Sequence, residues 1–273
     1  MTDQAVKLYD TTLRDGAQRE GLSLSVGEKL RILTLLDRLG VAYVEGGWPG
    51  SNPKDAELFA RARALPLQHA KLAAFGATRR RDRRAEDDPS LRALLEAETP
   101  VCTIFGKSSI AHVREVLRVT PDENLAMIEE SCALLRAAGR EVVYDAEHFF
   151  DGWALDARYA LATLVAAARG GASTIVLCDT NGGSCPWDVE EATREVVRLV
   201  GTPVGIHAHD DTGCAVANSL AAVRAGARHV QGTMHGWGER CGNASLCTLA
   251  PALELALGLP ALPDGALRTL TSV

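Results

Sequence analysis

The chain has 273 residues, 47% hydrophobic and 23% charged, with a net charge of −6. That is enough apolar material for one sizeable core, and the acidic balance argues against a broad nucleic-acid footprint. No apolar run is long enough to span a membrane, and Met1-Thr2-Asp3-Gln4 lacks the charged-then-apolar start of a secretory signal, so a cytoplasmic protein is expected. The seven cysteines are odd in number, scattered and never spaced C-x-x-C, which argues against a disulfide framework or a zinc ribbon.

Short β-branched or apolar runs alternate with longer amphipathic stretches from end to end, the pattern of repeated βα units on a parallel sheet. Eight strands are predicted, at Val6–Tyr9, Val41–Glu45, Lys71–Ala74, Val101–Phe105, Glu141–Asp145, Thr174–Cys178, Pro203–His207 and His229–Met234. Ser25 with Glu28 three residues later is a capping box, and Gly40 stands where that first helix should end. Thr120-Pro121-Asp122-Glu123 repeats the device, Gly139 closes that helix, and Pro186 opens another.

Eight such units in this length predict a closed (β/α)8 TIM barrel over residues 1–258, followed by a linker-like tail at 259–273. An open doubly wound sheet is the runner-up, disfavoured because no G-x-G-x-x-G follows the first strand. Active sites of closed barrels gather where the strands end, and polar residues follow nearly every strand here. They include Asp10 to Gln18, the Gly-rich Glu45 to Asn52, Gly106 to Ser109, Asp145 to His148, Asp179 to Gly183, and His235 to Asn243. The basic run Arg79 to Arg84 follows the third strand; it reads as a solvated loop, with steering of a phosphate-bearing ligand as the lesser alternative.

His207 and His209 close the seventh strand two residues apart, so their side chains share a face. Alone, an H-x-H pair is more often one packed and one wet histidine. In a closed barrel, however, strand eight neighbours strand one, which lets Asp15 join the pair. Two imidazoles and a carboxylate form a divalent-metal set with positions left open for substrate or water. Arg14 alongside would stay charged and could face a developing oxyanion.

Together the segments Asp10-Thr-Thr-Leu-Arg-Asp-Gly-Ala-Gln18, His207-Ala-His209 and Gly238-Glu-Arg-Cys-Gly-Asn243 resemble the metal-dependent acyl-CoA condensing and cleaving barrels. That family includes 2-isopropylmalate, homocitrate and citramalate synthases and hydroxymethylglutaryl-CoA lyase. Val44 to Asp55, Phe105-Gly-Lys107 and Asp145 to Gly152 look most like citramalate synthases. The resemblance implies condensation of acetyl-CoA with a 2-oxo acid, pyruvate in the citramalate case, then thioester hydrolysis. It implies a divalent metal (Mn, Zn or Mg) on Asp15, His207 and His209, with Arg14 stabilising the alkoxide. Glu147 would handle protons or orient a water, Thr180 would bind the oxo acid's carboxylate, and Gln18 and Asn243 would assist. The bland alternatives are an ion pair for Glu147 and a turn hydroxyl for Thr180.

The sequence departs from the family at three points. Asp210 replaces the usual Asn after the second histidine, where it could hold a ligating imidazole. His235 replaces an Asn of the last loop, where it could ligate the metal or act as an acid or base. The chain also ends where synthases continue into further subdomains, so it reads as a barrel-only protein or a catalytic fragment. C–C cleavage of the lyase type, or a barrel impaired in catalysis that binds metal or oxo acid, are the alternative functions. Apolar helix faces are compatible with a homodimer.

Overall fold

The computed structural model describes residues 5–272. Met1–Gln4, the stretch without a signal pattern, and Val273, the last residue of the expected tail, lie outside the described residues. Eight parallel strands follow one another around a closed ring: β1 (Lys7–Asp10), β2 (Tyr43–Gly47), β3 (Lys71–Ala77), β4 (Val101–Lys107), β5 (Glu141–Glu147), β6 (Thr174–Asp179), β7 (Val204–Ala208) and β8 (His229–Gly232). The α-helices outside them are α1 (Val26–Leu39), α2 (Pro53–Ala62), α3 (Pro89–Glu96), α4 (Ile110–His112), α5 (Pro121–Ala137), α6 (Phe149–Arg169), α7 (Pro186–Val200), α8 (Ala215–Arg224) and α9 (Leu246–Pro251). Because β1 pairs with both β2 and β8, the sheet has no edges: this is the TIM barrel, and the open sheet is excluded. Among the described residues no helix is long and apolar enough to cross a membrane.

Each predicted strand is present, with shifted ends that have physical causes. β4 and β5 run two residues beyond their apolar stretches because the ladder continues through the polar pair Lys107 and Glu147. β8 stops at Gly232 because Thr233 leaves the ladder to bridge Ser245. The α1 capping box is complete, and Gly40 ends the helix in a left-handed conformation at φ 90°. At α5 only half the device forms: Thr120 caps the Glu123 N–H, while the Glu123 carboxylate accepts from Arg79 instead.

Outward-facing strand residues such as Leu8, Val44, Ile104, Leu177 and Ile206 pack against Leu33, Leu94, Ile128, Leu164 and Val196 of the helices. Each such side chain contributes about 1.5–3 kcal/mol of burial free energy. Inside the barrel, Tyr9, Tyr43, Val101, Val143 and Val176 form a separate apolar cluster. Polar groups share the interior with it. The Tyr9 hydroxyl donates to Glu45 at 2.6 Å, and Gln231 Nε2 donates to Asp145 at 2.9 Å. Burying polar groups is tolerable only with such partners. The 259–272 stretch is packed rather than linker-like. The Pro260 carbonyl accepts from the Val6 N–H, Leu262 is buried, and Leu259, Leu267 and Leu270 pack on the core.

Candidate active site

β7 delivers His207 in register with Cys178 of β6 and Gln231 of β8, and the two-residue strand period brings His209 to the same side. The Nε2 atoms of the two rings lie 3.2 Å apart. Asp15, from the loop after β1, brings its Oδ2 to 3.6 Å from His207 and 3.8 Å from His209. All three side chains are buried, and no other set of three His, Cys, Asp or Glu donors converges in this way among the described residues. The carboxylate contacts are too long for hydrogen bonds. They suit a shared ion, since donors about 2.1 Å from one tetrahedral centre stand roughly 3.4 Å apart.

The electrostatics agree with this. Burial, then the neighbouring His209, push the His207 imidazole down to about 3, and burial likewise lowers His209. Neutral nitrogens are what a metal requires. Burial pushes the Asp15 carboxyl up, but Arg14 and the two imidazoles outweigh it and hold the group below the usual carboxylate range. Arg14 Nη1 donates to Asp15 Oδ2 at 3.0 Å, and its Nε donates to Glu45 at 2.6 Å. The guanidinium lies 4.0 Å over the Phe75 ring. Burial opposes its charge, while Glu45 and Asp15 secure it.

Above this cluster opens a cavity of about 180 Å³. Of the nine residues expected in the site, seven line it: Arg14, Asp15, Gln18, Glu147, Thr180, His207 and His209. Glu147 does form an ion pair, with Lys107 at 2.5 Å rather than with an arginine, yet still faces the cavity. The Thr180 hydroxyl accepts from the His148 N–H at 2.8 Å. Asn243 stands behind the trio, donating from Nδ2 to Asp15 Oδ1 at 2.9 Å.

Two expectations are corrected. His235 neither joins the trio nor lines the cavity. The Met234 N–H is drawn to Thr12 Oγ1, Met234 is buried, and His235 takes up φ 60°, so its ring is exposed beside Trp237 and Cys247. Asp210 does not support an imidazole; its carboxylate accepts from the Ala215 N–H at the start of α8. An Asp at this position gains from the helix dipole.

Sequence reasoning gave no individual role to the cavity's other walls. Trp48, Phe75 and Phe105 form an aromatic wall with centroids 5.4–5.7 Å apart; in the sequence Phe75 and Phe105 look like ordinary strand apolars, and Trp48 sits in the Gly-rich loop after the second strand. Asp145 also lines the cavity, and its signal was a carboxylate inside the apolar run Glu141 to Ala146. Burial, then Glu45, push its carboxyl up to about 8.

An (R)-citramalate synthase of Synechocystis is 53% identical over 273 aligned residues, covering 97% of this chain and 50% of that protein. A 2-isopropylmalate synthase of Pyrococcus furiosus is 36% identical, covering 92% of this chain and 49% of that protein. The chain thus spans about half the length of the curated relatives it matches. Among solved structures, hydroxymethylglutaryl-CoA lyase of Pseudomonas aeruginosa superposes with a TM-score of 0.77 at 22% identity, covering 98% of this chain and 91% of that one, a likeness of fold. The HMGL-like family model matches residues 5–272, and the chain belongs to that family.

Proposed function

We propose that this barrel condenses acetyl-CoA with a small 2-oxo acid, pyruvate by preference, to give citramalate and, after thioester hydrolysis, free coenzyme A. The observation that carries the reading is a buried Asp15–His207–His209 set open to a cavity beside a fixed Arg14, in a chain 53% identical to an (R)-citramalate synthase. The identity falls to 36% against a 2-isopropylmalate synthase, and the lyases share only the fold at 22%. Condensation is therefore preferred over cleavage.

When bound, a divalent ion such as Mn²⁺, Zn²⁺ or Mg²⁺ supplies Lewis acidity toward the oxo acid's carbonyl. Arg14 is oriented in advance by Glu45 and Phe75, so its charge faces the oxygen that turns negative as the carbon–carbon bond forms, without reorganisation. Thr180 spends its acceptor on the His148 N–H, which leaves its own proton free for the substrate carboxylate. Gln18, which also lines the cavity, offers a second donor. Glu147 accepts the proton released from the acetyl methyl, with Lys107 holding it in place. The aromatic wall shields these charges from water, which strengthens them.

The test is thiol release from acetyl-CoA in the presence of pyruvate and each divalent ion, with several larger 2-oxo acids alongside. Release with pyruvate that stops on chelation is expected. Bound metal without release for any oxo acid would refute the proposal.

A further inference from the structure

We propose that Arg240 is a positioning residue for the 2-oxo acid: it joins the loops after β6, β7 and β8 and so fixes the Thr180 hydroxyl that meets the substrate carboxylate; this rests on the condensing reading above. Arg240 Nε and Nη2 donate to the two carboxylate oxygens of Asp211, each at 2.8 Å, and Nη2 donates also to the Thr180 carbonyl at 2.8 Å. One side chain from the loop after β8 thus grips the loops after β7 and β6 together.

The remaining contacts leave the link from β8 to β6 to Arg240. The Asp210 N–H donates to the Gly242 carbonyl at 2.9 Å, which ties the loop after β7 to the loop after β8. Thr212 donates from both its N–H and its hydroxyl to the Gly182 carbonyl, which ties the loop after β7 to the loop after β6. Glycine permits that approach, because a Cβ at Gly182 would lie 2.6 Å from Asp211 Oδ2. Thr180 is held at two atoms: its hydroxyl accepts from the His148 N–H and its carbonyl accepts from Arg240. Without the second bond the residue can turn about the first, and the hydroxyl proton loses its fixed direction.

Thr180 lines the cavity and Arg240 does not, while Asp211 already matches the guanidinium's charge. Arg240 therefore acts through Thr180 and not on the substrate. Its backbone is left-handed at φ 54°, a conformation costly for a residue with a side chain and kept where the surroundings over-determine it. The pair is exposed, so it contributes little to overall stability and can be removed with the fold intact. A lysine could pair with Asp211, but its single ammonium lacks the planar fork that reaches Asp211 and Thr180 at once.

Pyruvate kinetics on the metal-loaded full chain, in a double-mutant cycle of Arg240→Ala and Thr180→Val, test this. We expect Arg240→Ala to raise the KM for pyruvate about tenfold, the scale of one charge-assisted hydrogen bond, with little change in kcat or in the KM for acetyl-CoA. In the Thr180→Val background the same substitution should change nothing further, and calorimetric pyruvate binding should follow the KM. Arg240→Lys should resemble Arg240→Ala, and it carries the test if alanine lowers the Tm. Arg194→Ala, which removes an exposed ion pair on α7, should match the parent. A parental KM in Arg240→Ala and Arg240→Lys, or an equal loss in both backgrounds of the cycle, would overturn the assignment alone. A parent chain that binds no pyruvate would overturn both the assignment and the condensing reading.

Discussion

Asn243 donates to Asp15 across 228 residues of sequence, and this 2.9 Å bond ties the loop after β8 to the loop after β1 at the metal set. It is tightly framed: a Cβ added at Gly238 would lie 2.0 Å from Asn243 Nδ2. Removing a partner that orients a ligand typically costs 10–100-fold in metal affinity. Asn243→Ala should therefore weaken Mn²⁺ binding by about that factor, and Gly238→Ala should do the same by displacing the amide. Titration calorimetry with Mn²⁺ checks both, and parental affinity in Asn243→Ala would show that Arg14 alone fixes Asp15.

The metal set itself predicts a thermal signature. An ion that binds only the folded chain adds stability of about 2.7 kcal/mol at a hundred times its Kd. Saturating Mn²⁺ or Zn²⁺ should raise the Tm of chelator-treated protein by several degrees, and His209→Gln should abolish most of the shift. Differential scanning calorimetry reads it; an unchanged Tm in the parent would mean that the trio is an ordinary buried polar cluster.

The trio and the barrel were legible in the sequence because two regularities suffice for them. Strand period two puts His207 and His209 on one face, and ring closure brings β8 and β7 near Asp15. What was illegible depends on contacts between distant segments. His235 turns outward because of a bond between Met234 and Thr12, and Arg79 is buried by carboxylates that α5 supplies. Neither is encoded locally. Phe75 and Phe105 carry the same apolar signal whether they serve the core or a substrate wall.

Arg14 is expected to be irreplaceable by lysine. Its planar fork reaches Glu45 and Asp15 together while stacking on Phe75, and an ammonium cannot reproduce that geometry. Arg14→Lys should lower kcat by roughly 10²–10³-fold, the loss found when one oxyanion donor is removed, with a smaller effect on the KM for pyruvate. A rise in KM alone would assign Arg14 to ground-state binding.

Asp145 predicts a pH-dependent cost. Its folded carboxyl titrates at about 8, raised by burial and then Glu45, against about 3.9 when unfolded. Between those values the folded chain keeps a proton that the unfolded chain has lost, so this stabilisation is complete below about pH 4 and fades as pH rises toward 8. Asp145→Asn imitates the protonated form at every pH. In metal-free protein, the variant's stability relative to the parent should increase by up to about 4 kcal/mol from pH 5 to pH 8. Urea midpoints at the two values measure it, and a constant difference would mean that Asp145 is ionised in the fold.

His229 acts with the opposite sign. It lies buried between Tyr9 and Tyr43, ring centroids 5.1 and 5.5 Å away, and neither ring nitrogen has a partner. Burial, then Lys7, push its imidazole down to about 3, whereas an unfolded histidine titrates near 6.5. As pH falls below about 6.5 the unfolded chain takes up a proton that the folded chain refuses, so the fold loses up to about 1.4 kcal/mol per pH unit at this site until about pH 3. His229→Phe keeps an aromatic ring in the same cluster and removes the titrating group. It should stabilise the protein by about 1–2 kcal/mol at pH 7, where the unpartnered nitrogens alone are relieved. The advantage should then widen as pH is lowered to 4, while carboxylates common to both proteins cancel in the comparison. Chemical denaturation of the two proteins at pH 7, 5.5 and 4 gives the gap directly. A gap that does not widen would mean that the ring between the two tyrosines becomes charged without loss of the fold.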